Sequence, residues 1–170
     1  MNYKDSNVIA YIALGSNKGD RQKYLKMAMD NIEADNKCIL LNKSAVYESI
    51  PFGNIPQDNY LNAVISVHTC YTMKELYYAL KDIEKKVGRT NSFRWGPREI
   101  DLDLLFFDEE IYSDSEITVP HKGIMERDFV IVPFCDIAPN YIHPEMKISM
   151  THIDLTKIEK NIISKTDYKL

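Results

Sequence analysis

At 170 residues the chain has the length of one domain with room for a buried core, so residues 1–170 are read as a single unit. Hydrophobic residues make up 45% and charged residues 27%, the balance of a globular protein rather than a disordered or fibrous one. A net charge of −4 gives no general pull towards nucleic acid or anionic lipid, and Cys38, Cys70 and Cys135 are scattered without a CxxC, so neither a zinc site nor a disulfide framework is indicated. The first seven residues are polar and no apolar run approaches membrane length. A cytoplasmic protein is therefore expected, with no nucleic-acid or membrane partner and no obligate protein partner.

Val8-Ile9-Ala10-Tyr11-Ile12-Ala13-Leu14 is a continuous apolar run, the mark of a central strand buried on both faces. Gly15-Ser16-Asn17 ends it, either as a plain turn or as a ligand loop, without a GxGxxG or GxxxxGK[ST] pattern. Asp20 is placed to cap a helix whose apolar stripe is Leu25, Ala28, Met29 and Ile32. Residues 38–48 read as one second strand. The loop that follows, 49–59, is long for a hairpin and carries Ile50 and Phe52, which a mere connector does not need. From Tyr60 the pattern alternates, with Leu61, Ala63, Ile65 and Val67 on one face and Asn62, Val64, Ser66 and His68 on the other. That predicts a third strand with Tyr60 and Asn62 pointing the same way. Thr72 and Glu75 fit a capping box, Leu76, Leu80, Ile83 and Val87 continue a helical stripe, and Gly88 is the expected stop.

Residues 89–98 carry three arginines, Arg89, Arg94 and Arg98, and no acid before Glu99. Such a loop can embrace phosphates or simply be solvated. Arg94-Trp95-Gly96-Pro97-Arg98 then leads into Asp101-Leu102-Asp103-Leu104-Leu105-Phe106-Phe107, a strand that wants to be buried. Side chains alternate along a strand, which puts Asp101 and Asp103 on one face with Cα atoms about 6.5–7 Å apart. The same alternation assigns Leu105 and Phe107 to that face and Leu104 and Phe106 to the other. Two buried like charges need compensating cations. The pair can grip Mg²⁺, which takes one or two carboxylates together with water and phosphate oxygens, or it can be an ion-paired structural feature with the arginines as partners. The setting, an apolar strand entered from an Arg- and Trp-bearing loop, favours metal. Downstream, 111–112 and 118–119 look like short edge pieces, and His121 comes shortly before Arg127. Residues 129–138 suit a strand or a helix; Asp128 as a cap favours helix, although Pro133 would kink it. Residues 150–170 are polar and Lys-rich and are expected to form a loosely held tail beyond a core of about 8–144.

The order strand, helix, strand, strand, helix, strand is that of an α+β, ferredoxin-like β-α-β-β-α-β sandwich with extra C-terminal elements. Right-handed crossovers place both helices on one face. The other face is then expected to stay open for the two loops and the aspartates.

Taken together, Ala13-Leu14-Gly15-Ser16-Asn17, Tyr60-Leu61-Asn62-Ala63, Arg94-Trp95-Gly96-Pro97-Arg98 with Asp101-Leu102-Asp103, and Val119-Pro120-His121 resemble 6-hydroxymethyl-7,8-dihydropterin pyrophosphokinase, an enzyme of folate biosynthesis. The resemblance runs from about Val8 to Pro144. It implies transfer of the β,γ-diphosphate of ATP to the pterin's hydroxymethyl group, with release of AMP. By the same resemblance, Asp101 and Asp103 hold two Mg²⁺ ions, and Arg89 and Arg98 neutralise the moving group. Leu104, Thr118, His121 and Arg127 join the two arginines at ATP, and Ser49, Phe52, Tyr60, Asn62, Trp95 and Phe129 form the pterin pocket. Departures are Ser49-Ile50-Pro51 where members commonly carry Thr-Pro-Pro, Lys122 in place of an aromatic residue, and Glu126 in place of a neutral polar one. Two other readings fit the residues less fully: a two-metal nucleotidyl transferase on the same architecture, and a ferredoxin-like binding module without catalysis.

Overall fold

The structure is a computed structural model that describes residues 8–53, 56–90, 93 and 95–170. The expected central strand is β1, Val8–Ser16, with Ala10, Ile12 and Leu14 on one face at 1% exposure or less. It lies between the third strand of the expected series, β4 (Tyr60–Thr69), and the fourth, β5 (Asp101–Phe107), antiparallel to both. The expected second strand is two short ones, β2 (Cys38–Lys43) and β3 (Tyr47–Ser49), both paired with β4. Ser44 sits at the break, taking the Val64 amide on its hydroxyl, so one run of sequence spans two separate ladder segments.

Helices α1 (Arg21–Glu33) and α2 (Met73–Val87) cover one face of the sheet, as the right-handed crossovers require. Both start as the sequence indicates. Asp20 accepts the Lys23 amide, Thr72 and Glu75 form the reciprocal capping box, and Gly88 closes α2 at φ 106°. The apolar stripes meet Ile12, Leu14, Leu61, Ala63, Ile65, Leu102 and Leu104.

The opposite face is not left open. Helix α3 (Asp128–Ile137) packs Val130, Ile131 and Phe134 on Val64, Leu105 and Phe106, leaving only one end of the sheet for a site. The reason lies in β5. Its register against β1 slips by one residue at Tyr11/Ile12, so Leu104 pairs with Ile12 while Phe106 pairs with Tyr11. This bulge reverses the simple alternation for the last two residues: Phe106 turns to the α3 side and Phe107 to the α1/α2 side. Phe106 then nests among Tyr11, Phe134, Tyr141 and His143, at ring-centroid distances of 4.6–6.2 Å. Asp128 is not the cap of α3 but its first residue. Pro133 stands inside the helix, which is helical through it.

Residues 111–112 and 118–119 yield the two-stranded β6 (Tyr112–Ser113) and β7 (Thr118–Val119). The C-terminal residues are not loose. Met150 is buried at 1% exposure, and β8 (Ile162–Lys165) pairs with β3 at the sheet edge. No helix among the described residues is long and apolar enough to cross a membrane.

Phe106 is fully buried within an aromatic nest that bridges β1, β5, α3 and the segment after it. Phe106→Ala is expected to lower the unfolding free energy by about 3–5 kcal/mol, the range for removing a buried ring, measured by denaturant titration with an unchanged slope.

Candidate active site

The uncovered end of the sheet carries a cavity of about 540 Å³. Its floor is a row of cross-strand neighbours. Gly15 of β1 pairs with Asn62 of β4 on one side and with Asp101 of β5 on the other; Ala13 pairs likewise with Val64 and Asp103. Gly15 stays in ordinary strand conformation, and its missing side chain opens the floor, since a Cβ there would stand 3.5 Å from Asn62 Oδ1 and 3.8 Å from Tyr60. Ser49, Phe52, Tyr60, Asn62, Trp95 and Phe129, the six residues assigned to a pterin pocket by resemblance, all line this one cavity. Asn62 Nδ2 donates to Ser49 Oγ at 2.8 Å, with both side chains nearly enclosed. The Phe52 and Phe129 ring centroids lie 6.3 Å apart, with their planes inclined at 59°.

A smaller cleft of about 260 Å³ adjoins it, lined by Leu104, Thr118, His121, Lys122, Tyr77 and Lys81. Asp103, His121 and Lys122 line both spaces and form the seam. Leu104, Thr118 and His121 are thus brought together as expected, whereas Arg127 lies in the larger cavity. Its guanidinium stands over the Phe52 ring at 5.5 Å, and Gly123 permits this, because a Cβ at 123 would sit 2.7 Å from Arg127 Cζ. His121 Nδ1 accepts the Gly123 amide at 3.2 Å, and burial foremost lowers its pKa, so a neutral ring presents Nε2–H.

The acids are compensated from two directions. Arg89 donates to Asp101 Oδ1 at 2.8 Å and Arg98 to Asp101 Oδ2. Lys81 Nζ stands 3.9 Å from each aspartate while donating to Glu84 at 2.7 Å and to the Leu102 carbonyl at 2.9 Å. Glu84, nearly enclosed on α2, accepts from Arg89 and from the Leu102 amide. The pKa values of the two aspartates move in opposite directions. For Asp101 burial works against ionisation, but Lys81, Arg98 and Arg89 outweigh it and hold the pKa down. For Asp103 burial and then the neighbouring Asp101 push it up. Among the described residues Asp103 has one ion pair, the distant Lys81. A carboxylate with spare oxygens at the seam of two cavities, beside a second one, fits a hard, oxygen-seeking cation.

Sequence reasoning missed Lys81 and Glu84, because a helix stripe read for apolar residues says nothing about which polar ones reach across to β5. It also missed the stitching of the loops. Asn17 Oδ1 accepts the Arg98 amide at 2.8 Å, Asn17 Nδ2 donates to Gln57 Oε1 at 3.0 Å, and Gln57 Nε2 donates to the Trp95 carbonyl at 3.2 Å. Lys18 pairs with Glu99 at 2.6 Å; burial opposes the charge on Glu99, yet Lys18 and Thr90 hold its pKa down to about 2. Arg94 lies outside the described residues.

Fold and site together define a class: a ferredoxin-like phosphoryl-transfer enzyme, with a carboxylate, a histidine and a lysine at the junction of two cavities and arginines close by. The chain belongs to the 7,8-dihydro-6-hydroxymethylpterin-pyrophosphokinase (HPPK) family, whose model matches residues 11–139. It is 42% identical over 135 residues to the 2-amino-4-hydroxy-6-hydroxymethyldihydropteridine pyrophosphokinase of Aquifex aeolicus, covering 79% of this chain and 82% of that one. The enzyme of the same name from Bacillus subtilis is 40% identical over 131 residues, covering 77% and 78%. Among solved structures, Plasmodium falciparum HPPK-DHPS superimposes with a TM-score of 0.67 over 89% of this chain at 15% identity, a likeness of fold; this chain spans 41% of that one.

The opposite displacement of the two aspartates generates a test on chelator-treated protein. Because the folded-state pKa of Asp103 is raised, its ionisation costs stability, and that cost is absent below the ordinary carboxylate range and grows as pH rises. Asp103→Asn is expected to raise Tm near about pH 7 and to leave it unchanged below about pH 4. Asp101→Asn is expected to do the reverse at neutral pH, losing roughly 1–3 kcal/mol from its charge-assisted hydrogen bonds, with the loss fading as pH falls. Parallel melts across pH check both signs.

Proposed function

We propose that the larger cavity binds 6-hydroxymethyl-7,8-dihydropterin and the smaller one the phosphates of ATP, so that the two meet at Asp103. The protein is an ATP-dependent pyrophosphokinase of folate biosynthesis. The observation that carries it is the seam: a pocket of aromatic and amide groups meets a cleft lined by Lys81, Lys122 and His121 at Asp103.

The hydroxymethyl oxygen attacks the β-phosphorus and gives up its proton to solvent, the bond from that phosphorus to the α-phosphate oxygen breaks, and AMP leaves. Such transfers depend on positioning and on neutralising charge, and no covalent nucleophile on the protein is needed. Asn62, held by Ser49, offers an amide to the hydrogen-bonding edge of the pterin, while Phe52 and Phe129 lie along its faces. Arg89 and Arg98 are engaged by Asp101 and Glu84. A cation that took over the acids would free them to turn fully to phosphate. Asp101 and Asp103 are the residues that would hold Mg²⁺, which when bound would offset the negative charge of the phosphates. His121 Nε2–H is placed to donate to a phosphate oxygen at the seam. A cytoplasmic location belongs to the same reading.

With ATP labelled in the β-phosphate, the label is expected in the pterin product, with AMP formed one-to-one, as followed by chromatography. Release of ADP would mean an ordinary kinase; pyrophosphate would mean a nucleotidyl transferase, and absence of turnover a binding module. Arg98→Ala is expected to reduce kcat far more than it raises KM for ATP, since the charge it meets builds up mainly in the transition state.

A further inference from the structure

The two walls of the larger cavity come from distant parts of the chain. One is the end of β3, where Ser49 and Ile50 stand beside Asn62; the other is the start of α3, with Arg127, Phe129 and Val130. The far half of α3 is tied to these strands directly, through Val64 of β4 and through the Tyr47 hydroxyl of β3, which donates to Asp136 at 3.0 Å. At the cavity end, the start of α3 is joined to the end of β3 by the C-terminal segment. The Asp128 carboxylate accepts the backbone amides of Asn161, at 2.9 Å, and Ile162, at 3.0 Å, on the same oxygen. The Asn161 carbonyl accepts the amide of Ile50 at 3.0 Å, and Ile162 is the register partner of Ser49. Asp128 is 7% exposed and Asn161 1%, so these bonds form away from water and are not exchanged for solvent contacts. Asn161 and Ile162 both lie beyond residue 139, where the match to the family model ends.

We propose that Asp128 is a positioning residue for pterin binding, acting through the Asn161–Ile162 segment to set the separation between the Ser49–Ile50 wall and the Phe129 wall. The inference rests on the larger cavity being the pterin site. Several features make the coupling specific. Asp128 immediately precedes Phe129, so its orientation fixes where that ring starts. Ile50 supplies an amide that a proline at this position would lack. Ser49, paired across from Ile162, is the residue that holds the Asn62 amide. A shift of the joint therefore moves a ring and a hydrogen-bonding group of the pocket together, while the Lys81, Leu104 and Thr118 cleft belongs to α2, β5 and β7 and stays put.

The test is steady-state kinetics and equilibrium pterin binding on the full chain carrying Asp128→Ala or Asp128→Asn. Asp128→Ala is expected to raise KM for the hydroxymethyldihydropterin about tenfold, with kcat and KM for ATP within about twofold, as loss of one charge-assisted joint only partly transmitted to the ligand would give. Asp128→Asn keeps an acceptor oxygen and is expected to recover most of the loss. Equal changes for both substrates, or no change in a folded Asp128→Ala protein, would overturn the proposal. If Asp128→Ala does not fold, hydrogen exchange on the wild type decides: pterin is expected to slow the amides of Ile50, Asn161 and Ile162 more than those of β6 and β7, and equal slowing sinks the idea. Wild-type protein that neither binds nor turns over the pterin would instead remove the pyrophosphokinase reading on which the inference stands.

Discussion

Two carboxylates side by side on a strand that is otherwise apolar cannot be left uncompensated, and the site is built around meeting that demand. Asp101 and Asp103 project from β5 towards the cavity, and three cations are brought to them from separate elements: Lys81 from α2, Arg89 from just past its C-terminus, and Arg98 from the loop entering β5. Glu84 joins as a third acid and binds Lys81 and Arg89 in turn. The three cations are thus largely engaged by the protein's own acids. A polyphosphate arriving there gains little unless further positive charge comes with it.

The same region shows how the sheet makes room for ligand. β1 is central in the sheet, and at its end it places Gly15 and Ala13 between Asn62 and Asp101 and between Val64 and Asp103. Small residues in the central strand keep the floor low, and large functional side chains rise from its neighbours. The walls are then supplied by irregular segments, held by Asn17, Gln57 and Arg21, whose guanidinium donates to the Asn59 carbonyl at 2.8 Å. Side-chain hydrogen bonds to backbone allow long loops to hold a shape without secondary structure of their own.

The bulge in β5 has consequences at both ends. On the site side the strand keeps strict alternation, so both aspartates face the cavity. Beyond Leu104 one extra residue turns Phe106 under α3, and that helix carries Arg127 and Phe129 to the rim. The face expected to be open is therefore closed by the helix that completes the site.

Local chemistry was enough to read much of this from the sequence. The four core strands and two helices declare themselves through period and capping, because Asp20, the Thr72–Glu75 box and Gly88 satisfy helix ends with neighbours in the chain. Asp101 and Asp103 sharing a face, and Tyr60 and Asn62 doing likewise, follow from alternation alone. The tertiary structure decided what depends on partners far along the chain. The split of residues 38–48 answers to the ladder with β4, and the switch of Phe106 and Phe107 to a register slip against β1. The docking of residues 162–165 answers to Asp128 and β3. The roles of Lys81, Glu84 and Gln57 were hidden for the same reason: a polar side chain on a helix or loop carries no periodic signal, and its partner is fixed only when long-range packing brings an opposite charge or an unpaired backbone group within reach.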